Sequence, residues 1–413
     1  MLGNYIKSLT FILILAFCFS CKAGENDINK TKESIMAFEI NNIAYPIRFA
    51  NYQRNSIVPI EMKSKWKPLW LKPYAEINED ITVLPYTLLI KDDYVGVRSK
   101  NEMIIYDIAG NLKYQTPLSW STGVIFGNSA LTYMLPSQQL IGQDYEFNQL
   151  GHVRTIPELT ELSYELLLIP TLDDVRAVVQ FTGGPKGPKG KPPKYFLYRY
   201  LREQRHVDWF FEYDGIVNAA LLTNDEKTIV LIKPNEVALF NVDDGKTKSS
   251  FEIDLEFVPD SPAIASLDIN DNLIIQAKRI KDENTQQLLI AFTLDGEELW
   301  SYPLNEPYDL QPPACDNNGR IFIIDGLQLL CIKDGEVDWT AILTPAERNY
   351  ITITADNHAV VLNGSLLALF APDGEKLYER LITKTDEQFY APPALDKERH
   401  VFVAGQKALY CFE

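Results

Sequence analysis

A seven-residue phrase that returns at a fixed interval constrains this chain more than any other feature. LDGEELW (294–300) recurs as KDGEVDW (333–339) and PDGEKLY (372–378), so Trp300, Trp339 and Tyr378 stand 39 residues apart each time. Each copy joins a tight Asp-Gly turn to an aromatic residue. The runs before it, RIFIID (320–325), HAVVLN (358–363) and HVFVAG (400–405), are β-branched and aromatic and read as short strands. Gly326, Asn363-Gly364 and Gly405 supply the intervening turns. A repeat of this length, built of strands and tight turns, is the mark of a β-propeller. No helix of any length is required.

Counting four residues on from each turn glycine gives Tyr114, Thr155, Ser249, Trp300, Trp339 and Tyr378, and Trp209, preceded by HVD as Trp339 is by EVD, fills the remaining gap. The steps are 41, 54, 40, 51, 39 and 39 residues, which marks seven repeats. An eighth begins at PPALDKERHVFVAGQKALYCFE, parallel to PPACDNNGRIFIIDGLQLLCIKDGE, and ends at Glu413 before its aromatic is due. Trp70, in SKWKPLWLKP, lies 44 residues before Tyr114 and supplies the missing mark. The expected architecture is therefore all-β, an eight-bladed propeller closed by an N-terminal strand that joins the C-terminal blade. Seven blades is the alternative. Closure of this kind leaves no open sheet edge. The aromatic of each repeat is expected to pack between neighbouring blades.

The start of the chain reads as an export address. Lys7 precedes the apolar run 9–19, which is too short for a span of roughly 20 residues and suits a signal-peptide core. The run ends at Phe19-Ser20-Cys21, which resembles the lipobox of bacterial lipoproteins. That resemblance implies lipidation of Cys21, and Lys22 after it, rather than Asp, favours the outer membrane. The expected organisation is a lipoprotein signal peptide at 1–20, a flexible tether at 21–37, an unassigned segment at 38–61 and the propeller at 62–413. Several acyl chains would hold the membrane firmly where one anchors only marginally.

Charge and cysteine content exclude more than they assign. The net charge of −17 argues against nucleic acid as a partner. Beyond Cys18 and Cys21, Cys315, Cys331 and Cys411 remain. Cys315 in PPAC stands where PPAL of the next-but-one repeat has Leu395, and the other two fall in apolar strands, so all three read as core residues. Their odd number and the lack of a CxxC argue against a metal site. His358 and His400 occupy the same place in successive repeats, and neither HExxH nor GxSxG occurs. The longest insertion, TGGPKGPKGKPPK (182–194), lacks phosphate-loop spacing and reads as an exposed hairpin tip, with Lys186, Lys189 and Lys191 able to meet an anionic partner.

The phrase A/L-x-x-x-D-G-x-x-x-W, with paired prolines before an inner strand, resembles the pyrroloquinoline-quinone-type propeller repeat. It is similar to the lipoprotein propeller of the outer-membrane β-barrel assembly machinery and to the quinoprotein dehydrogenase-like superfamily. The resemblance is strong over 261–413, weaker over 84–119 and poor between 120 and 257. Enzymes of the superfamily imply a quinone cofactor held by an adjacent cysteine pair, a stacking Trp and a calcium site. No adjacent cysteine pair follows the tether here, so no cofactor, no metal and no catalytic residue are expected. The reading is a non-enzymatic, lipid-anchored binding or scaffold protein of the bacterial outer membrane, with other envelope proteins as partners. The alternatives are a surface ligand or glycan sensor, which keeps a small-molecule ligand open, and a degenerate quinoprotein-type enzyme. The loops EPYDLQPP (306–313) and DEQFYAPP (386–393) place Tyr308, Gln311, Phe389 and Tyr390 near one mouth of the channel. There they either anchor an interface or pack neighbouring loops.

Overall fold

The computed structural model describes residues 57–58, 61, 65–74, strand segments between 83 and 214, and 218–413 apart from 258–264, 282–283, 306–310 and 385–386. All of them belong to one unit covering 43–413. Among the described residues there are eight sheets, antiparallel but for one added strand, which follow one another along the chain as blades. Blade 1 runs from Val83–Lys91 to Leu112–Pro117, blade 2 from Val124–Phe126 to Gln149–Arg154, and blade 3 from Tyr164–Pro170 to His206–Asp214. Blade 4 runs from Ala219–Leu222 to Thr247–Glu252 and blade 5 from Ala265–Leu267 to Glu298–Leu304. Blade 6 runs from Ala314–Cys315 to Glu336–Ile342, and blade 7 from Asn349–Thr354 to Lys376–Leu381.

Blade 8 is composite. The chain's last three strands, Ala394–Leu395, Val401–Ala404 and Ala408–Phe412, take Pro68–Pro73 as their outer neighbour. Trp70 pairs with Cys411 and Leu71 with Tyr410 in that antiparallel ladder, as the spacing of the aromatic marks predicts. First strands touch from blade 1 through blade 5 and between blades 6 and 7, and blade 1 packs on blade 8 through Val83–Lys91. The core has the same organisation: one buried cluster runs through blades 7, 8 and 1, another joins blades 4 and 5, and further clusters join blades 5 to 6 and 6 to 7.

This packing explains the strand sequences. A middle strand is covered on both faces by the adjacent blades, so Thr228–Ile232, Ile321–Asp325 and Ala359–Asn363 are buried at every position. The requirement is a continuous apolar run rather than alternation. The fourth strand has only its inward face covered, and Lys376–Leu381 accordingly alternates, with Tyr378 turned inward.

The recurring phrase is the lock between blades. The ring of Trp339 in blade 6 lies against Gly374 in the Asp-Gly turn of blade 7, where a Cβ would come within 2.7 Å of it. Gly374 has φ +88, so the turn and the close approach both require glycine. Trp300 meets Gly335, Trp209 meets Gly245 and Trp70 meets Gly110 in the same way. The indole N–H also bonds the turn: Trp339 Nε1 donates to Pro372 O at 3.0 Å, Trp209 to Val242 O at 3.0 Å and Trp70 to Ile108 O at 2.9 Å. The mark at Ser249 is corrected by the structure. Ser249 has the same register as Trp300, pairing with Leu239 as Trp300 pairs with Ala291, yet it is exposed. Phe251, two residues on and on the same face, supplies the ring against Gly296. Thr155 lies outside the described residues.

Within the segment left unassigned at 38–61, Ile57–Val58 forms a strand parallel to Ile353–Thr354, on the inner edge of blade 7. That makes blade 7 the one five-stranded sheet among the described residues.

Candidate functional site

The two faces of the ring are built differently. Turns between first and second strands and the Asp-Gly turns lie on one face, here the turn face. Hairpins between second and third strands lie on the other, together with the connections from blade to blade, and this is the loop face.

On the turn face the polar residues are committed to the ring. Asp316, Asp268 and Asp396 each end a first strand and accept two backbone N–H groups of their own turn. The second carboxylate oxygen of each then takes a side chain four residues on, from Arg320 at 2.7 Å, Asn272 at 2.9 Å or His400 at 2.7 Å. His400 is thus the repeat equivalent of an arginine and an asparagine, and His358 stands beside Asp356 at the same place in blade 7. Adjacent turns are also clipped together. Asn317 donates its backbone N–H to Asn357 Oδ1 at 3.1 Å and its amide to Ala355 O at 3.0 Å. Asn224 does the same toward Asp271 Oδ1 at 2.7 Å and Asp268 O at 3.2 Å. Burial, with the charges of Asp225 and Asp268 nearby, raises the Asp271 carboxyl to about 6 against the donated N–H of Asn224.

The loop face over blades 6, 7 and 8 is stitched by hydrogen bonds and yet leaves several large apolar side chains exposed. Asp325 in the blade 6 hairpin accepts from Asn305 N at 3.0 Å and Asn305 Nδ2 at 2.8 Å. Asn363 in the blade 7 hairpin bonds Thr344, and its amide reaches Asn349 Oδ1 at 2.6 Å. Gly364 N donates to Arg348 O at 3.0 Å. In blade 8 the buried Glu387 accepts from Lys407 N at 2.7 Å, Ala408 N at 3.1 Å and the Tyr410 hydroxyl at 2.5 Å. Glu387 presses so closely on Gly405 that any Cβ there would collide with its carboxylate. Burial first, then the Glu387 carboxylate, pushes the Tyr410 phenol upward, which keeps it a hydrogen-bond donor.

Above this frame lie Ile342, Leu327 and Leu381, exposed large apolar residues of which Ile342 is 70% accessible. Leu343 N donates to Leu327 O at 2.8 Å, which sets Leu327 beside the end of the Ile342 strand. On the same face the Arg348 guanidinium sits 4.8 Å from the centre of the Tyr390 ring. The Tyr390 hydroxyl donates to Gln388 Oε1 at 2.6 Å, and Gln388 Nε2 reaches Glu347 Oε2 at 3.3 Å. Isolated exposed apolar residues are ordinary. Three of them on the face that carries an Arg–Tyr pair, with its loops held by buried hydrogen bonds, match the composition of a protein-docking surface.

Of the residues expected at the channel mouth, Phe389, Tyr390 and Gln311 are among those described, and one of these three belongs to this surface. Tyr390 does. Phe389 is buried, its ring 5.9 Å from that of Tyr410. Gln311 is buried and bonds the inner strand of blade 7 through both ends of its amide, accepting from Ile351 N at 2.6 Å and donating to Ile351 O. Gln276 Nε2 donates to Gln311 O at 3.1 Å, and Thr352 Oγ1 donates to Pro393 O at 2.6 Å. Gln311 is therefore part of a polar seam across blades 5 to 8. Tyr308, Lys186, Lys189, Lys191 and Cys21 lie outside the described residues. Ile342 and Leu381 were legible by alternation, because Trp339 and Tyr378 fix which residues of their strands face outward. Arg348 carried no pattern, and only its contact with Tyr390 singles it out.

A quinone cofactor of the superfamily type does not fit the residues described. Cys315, Cys331 and Cys411 are buried thiols in blades 6, 6 and 8. Burial pushes the Cys331 thiol up to about 12 and Cys315 well above the usual thiol range. Trp70, Trp209, Trp300 and Trp339 are all used in the wedges between blades. Among the described residues no group of three or more His, Cys, Asp or Glu side chains could hold a metal ion.

No protein-family model matches the chain, and no curated protein matches it in sequence. Solved structures do match. BamB from Moraxella catarrhalis aligns over 84% of this chain and 100% of its own, with a TM-score of 0.54 at 11% identity. A europium-containing methanol dehydrogenase aligns over 92% of this chain and 100% of its own, with a TM-score of 0.60 at 10% identity. The Dos1 propeller aligns over 80% and 95%, with a TM-score of 0.52 at 9% identity. The fold these structures share with the chain is the β-propeller expected from the repeat phrase, and identities this low carry the fold alone.

Proposed function

We propose that this chain is an exported, lipid-anchored propeller that docks other envelope proteins on its loop face and is not itself an enzyme. The observation that carries the reading is the loop face of blades 6 to 8, which exposes Ile342, Leu327 and Leu381 and also carries the Arg348–Tyr390 pair. Hydrogen bonds to Asp325, Asn363 and Glu387 hold its loops in place, so little conformational freedom is lost on binding. Apolar, tyrosine and arginine side chains on a rigid support are the composition of interface hot spots. The export segment and Cys21 supply the location in this reading, and the likeness to BamB agrees with a scaffold among envelope proteins.

The test is in-cell photocrosslinking with a reactive side chain introduced at Ile342 or at Tyr390, followed by mass spectrometry. Recovery of envelope proteins that is lost in the Cys21→Ala chain, and reduced at least about tenfold by Ile342→Asp with Leu381→Asp, is the expected result. Recovery of no protein above background, or recovery indifferent to the two aspartates, would overturn the docking assignment.

A further inference from the structure

We infer that the outer strand of blade 6 is an open sheet edge that takes up an extended segment of a partner protein by strand addition. The inference deepens the docking reading above and rests on it. Fourth strands stand at the rim of the ring, each with one edge that no other described strand pairs. Such an edge offers N–H and C=O groups to any extended chain, and proteins guard it with proline or with cationic side chains. Six of the eight outer strands are guarded in this way: blade 1 by Pro117, blade 2 by Arg154, blade 4 by Lys248, blade 5 by Pro303, blade 7 by Lys376 and blade 8 by Pro73. The outer strands of blades 3 and 6 contain no Pro, Lys or Arg. In blade 3 acids run the length of His206–Asp214, at Asp208, Glu212 and Asp214. In blade 6 they stop at Asp338, and Glu336–Ile342 finishes in Thr340-Ala341-Ile342.

The register shows which groups this edge offers. Leu343 N donates to Leu327 O at 2.8 Å, and Ala341 and Trp339 pair with Leu329 and Cys331 in the same ladder. Hydrogen-bonded pairs alternate along an antiparallel ladder. Ala341 and Trp339 therefore bond the third strand, while Thr340 and Ile342 turn their N–H and C=O away from the sheet. No backbone group of another described residue meets them. The side chains alternate in step, with Trp339 and Ala341 partly covered and Thr340 and Ile342 exposed. The bulge in this ladder falls at Cys331–Ile332, at the acidic end next to the Asp-Gly turn, and leaves Trp339–Ile342 regular.

The edge also specifies its occupant. An added strand is held by main-chain hydrogen bonds, and its alternate side chains lie beside those exposed on the host. Antiparallel pairing puts an apolar side chain beside Ile342 at the loop face, a β-branched one beside Thr340, and a cation toward Asp338 and Glu336 at the turn face. A second copy of this chain fits poorly, because each copy carries −17 and brings its own acids to the pair. The partner segment is thus extended, with an apolar residue followed about four residues on by Lys or Arg.

The probe is a fluorescently labelled peptide, Thr-Phe-Thr-Val-Thr-Lys-Thr, titrated with the full chain and followed by anisotropy. Saturable binding is expected. Methylation of the valine nitrogen, whose N–H faces Thr340 O, should weaken it at least about tenfold. Methylation of the threonine nitrogen after it, whose N–H points away from the edge, should change it less than about twofold. Thr340→Lys, which installs the guard that other blades carry, should weaken binding about tenfold. No saturable binding, equal loss from the two methylations, or binding indifferent to Thr340→Lys would overturn strand addition. Each of these leaves the docking reading standing, since that is judged by crosslinks from Ile342 and Tyr390. A dimer of the free chain that Thr340→Lys dissociates, seen by light scattering, would give the edge to a second copy and overturn the inference as well.

Discussion

Asp271→Asn tests whether a carboxylate between blades 4 and 5 works against the fold. Asp271 has φ +61 in the first turn of blade 5 and accepts the Asn224 N–H at 2.7 Å, with Asp225 and Asp268 close by. Its carboxyl is raised from 3.8 to about 6, first by burial and then by those two charges. A carboxyl raised in the folded state binds its proton more tightly there than in the unfolded chain. Stability therefore falls as pH climbs from about 4 to about 6, and the whole penalty is present above that window. The displacement sets an upper limit of about 3 kcal/mol, and solvent screening of a half-exposed group brings the expected penalty to about 1 kcal/mol. Asparagine fits the site, since Asn357 holds the same turn position in blade 7 with φ +64 and accepts the N–H of Asn317. Denaturant unfolding of both proteins across this pH range should show the variant about 1 kcal/mol more stable at pH 7 and the difference closing below about pH 4. A difference that ignores pH would locate the effect in the hydrogen bond rather than the charge. A less stable variant at pH 7 would refute the reasoning outright.

Gly374→Ala should destabilise the ring by about 2 kcal/mol or more, because the new Cβ meets the Trp339 ring at 2.7 Å in a turn with φ +88. Thermal unfolding measures the loss, and a red-shifted tryptophan emission reports the displaced ring. Gln311→Met should cost about 2 kcal/mol, since it leaves the buried Ile351 N–H and C=O without the amide that both contact. Denaturant unfolding reads that cost, and a variant of unchanged stability would show that the seam is dispensable. Cys315, Cys331 and Cys411 should resist a small alkylating reagent in the native protein and all react after unfolding, as intact-mass analysis will show.

The architecture was legible because its locks repeat. A ring that fills the wedge between blades needs a partner with no side chain, and that pair of demands wrote Asp-Gly and an aromatic into successive repeats. The position of Trp70 predicted the closing strand for the same reason. Where the ring comes from another residue the pattern blurs: Phe251 does the work of Trp300 from two residues further along, and counting from the turn lands on exposed Ser249. The loop face was less legible. Phe389 and Tyr390 are adjacent in sequence, and only the bridge between Phe389 and Gly405 decides that the first turns inward. Gln311 looked like an interface residue because a polar side chain near a channel mouth has two uses, and sequence does not record that Ile351 lies within reach of its amide.

This contrast between faces also separates what the repeat dictates from what it leaves free. On the turn face one set of contacts recurs from blade to blade: a side chain at the end of the first strand caps its own turn, and asparagine clips one turn to the next. Such contacts are set by the repeat, and a surface occupied by them has few groups left for a partner. On the loop face each connection is held by a different residue, Asp325, Asn363 or Glu387, and what projects beyond them differs from blade to blade. Variation on a rigid support is what recognition requires, because specificity comes from differences that the fold does not dictate. The Arg348–Tyr390 pair is such a feature, whereas Ile342 and Leu381 hold the same exposed place at the ends of the fourth strands of blades 6 and 7.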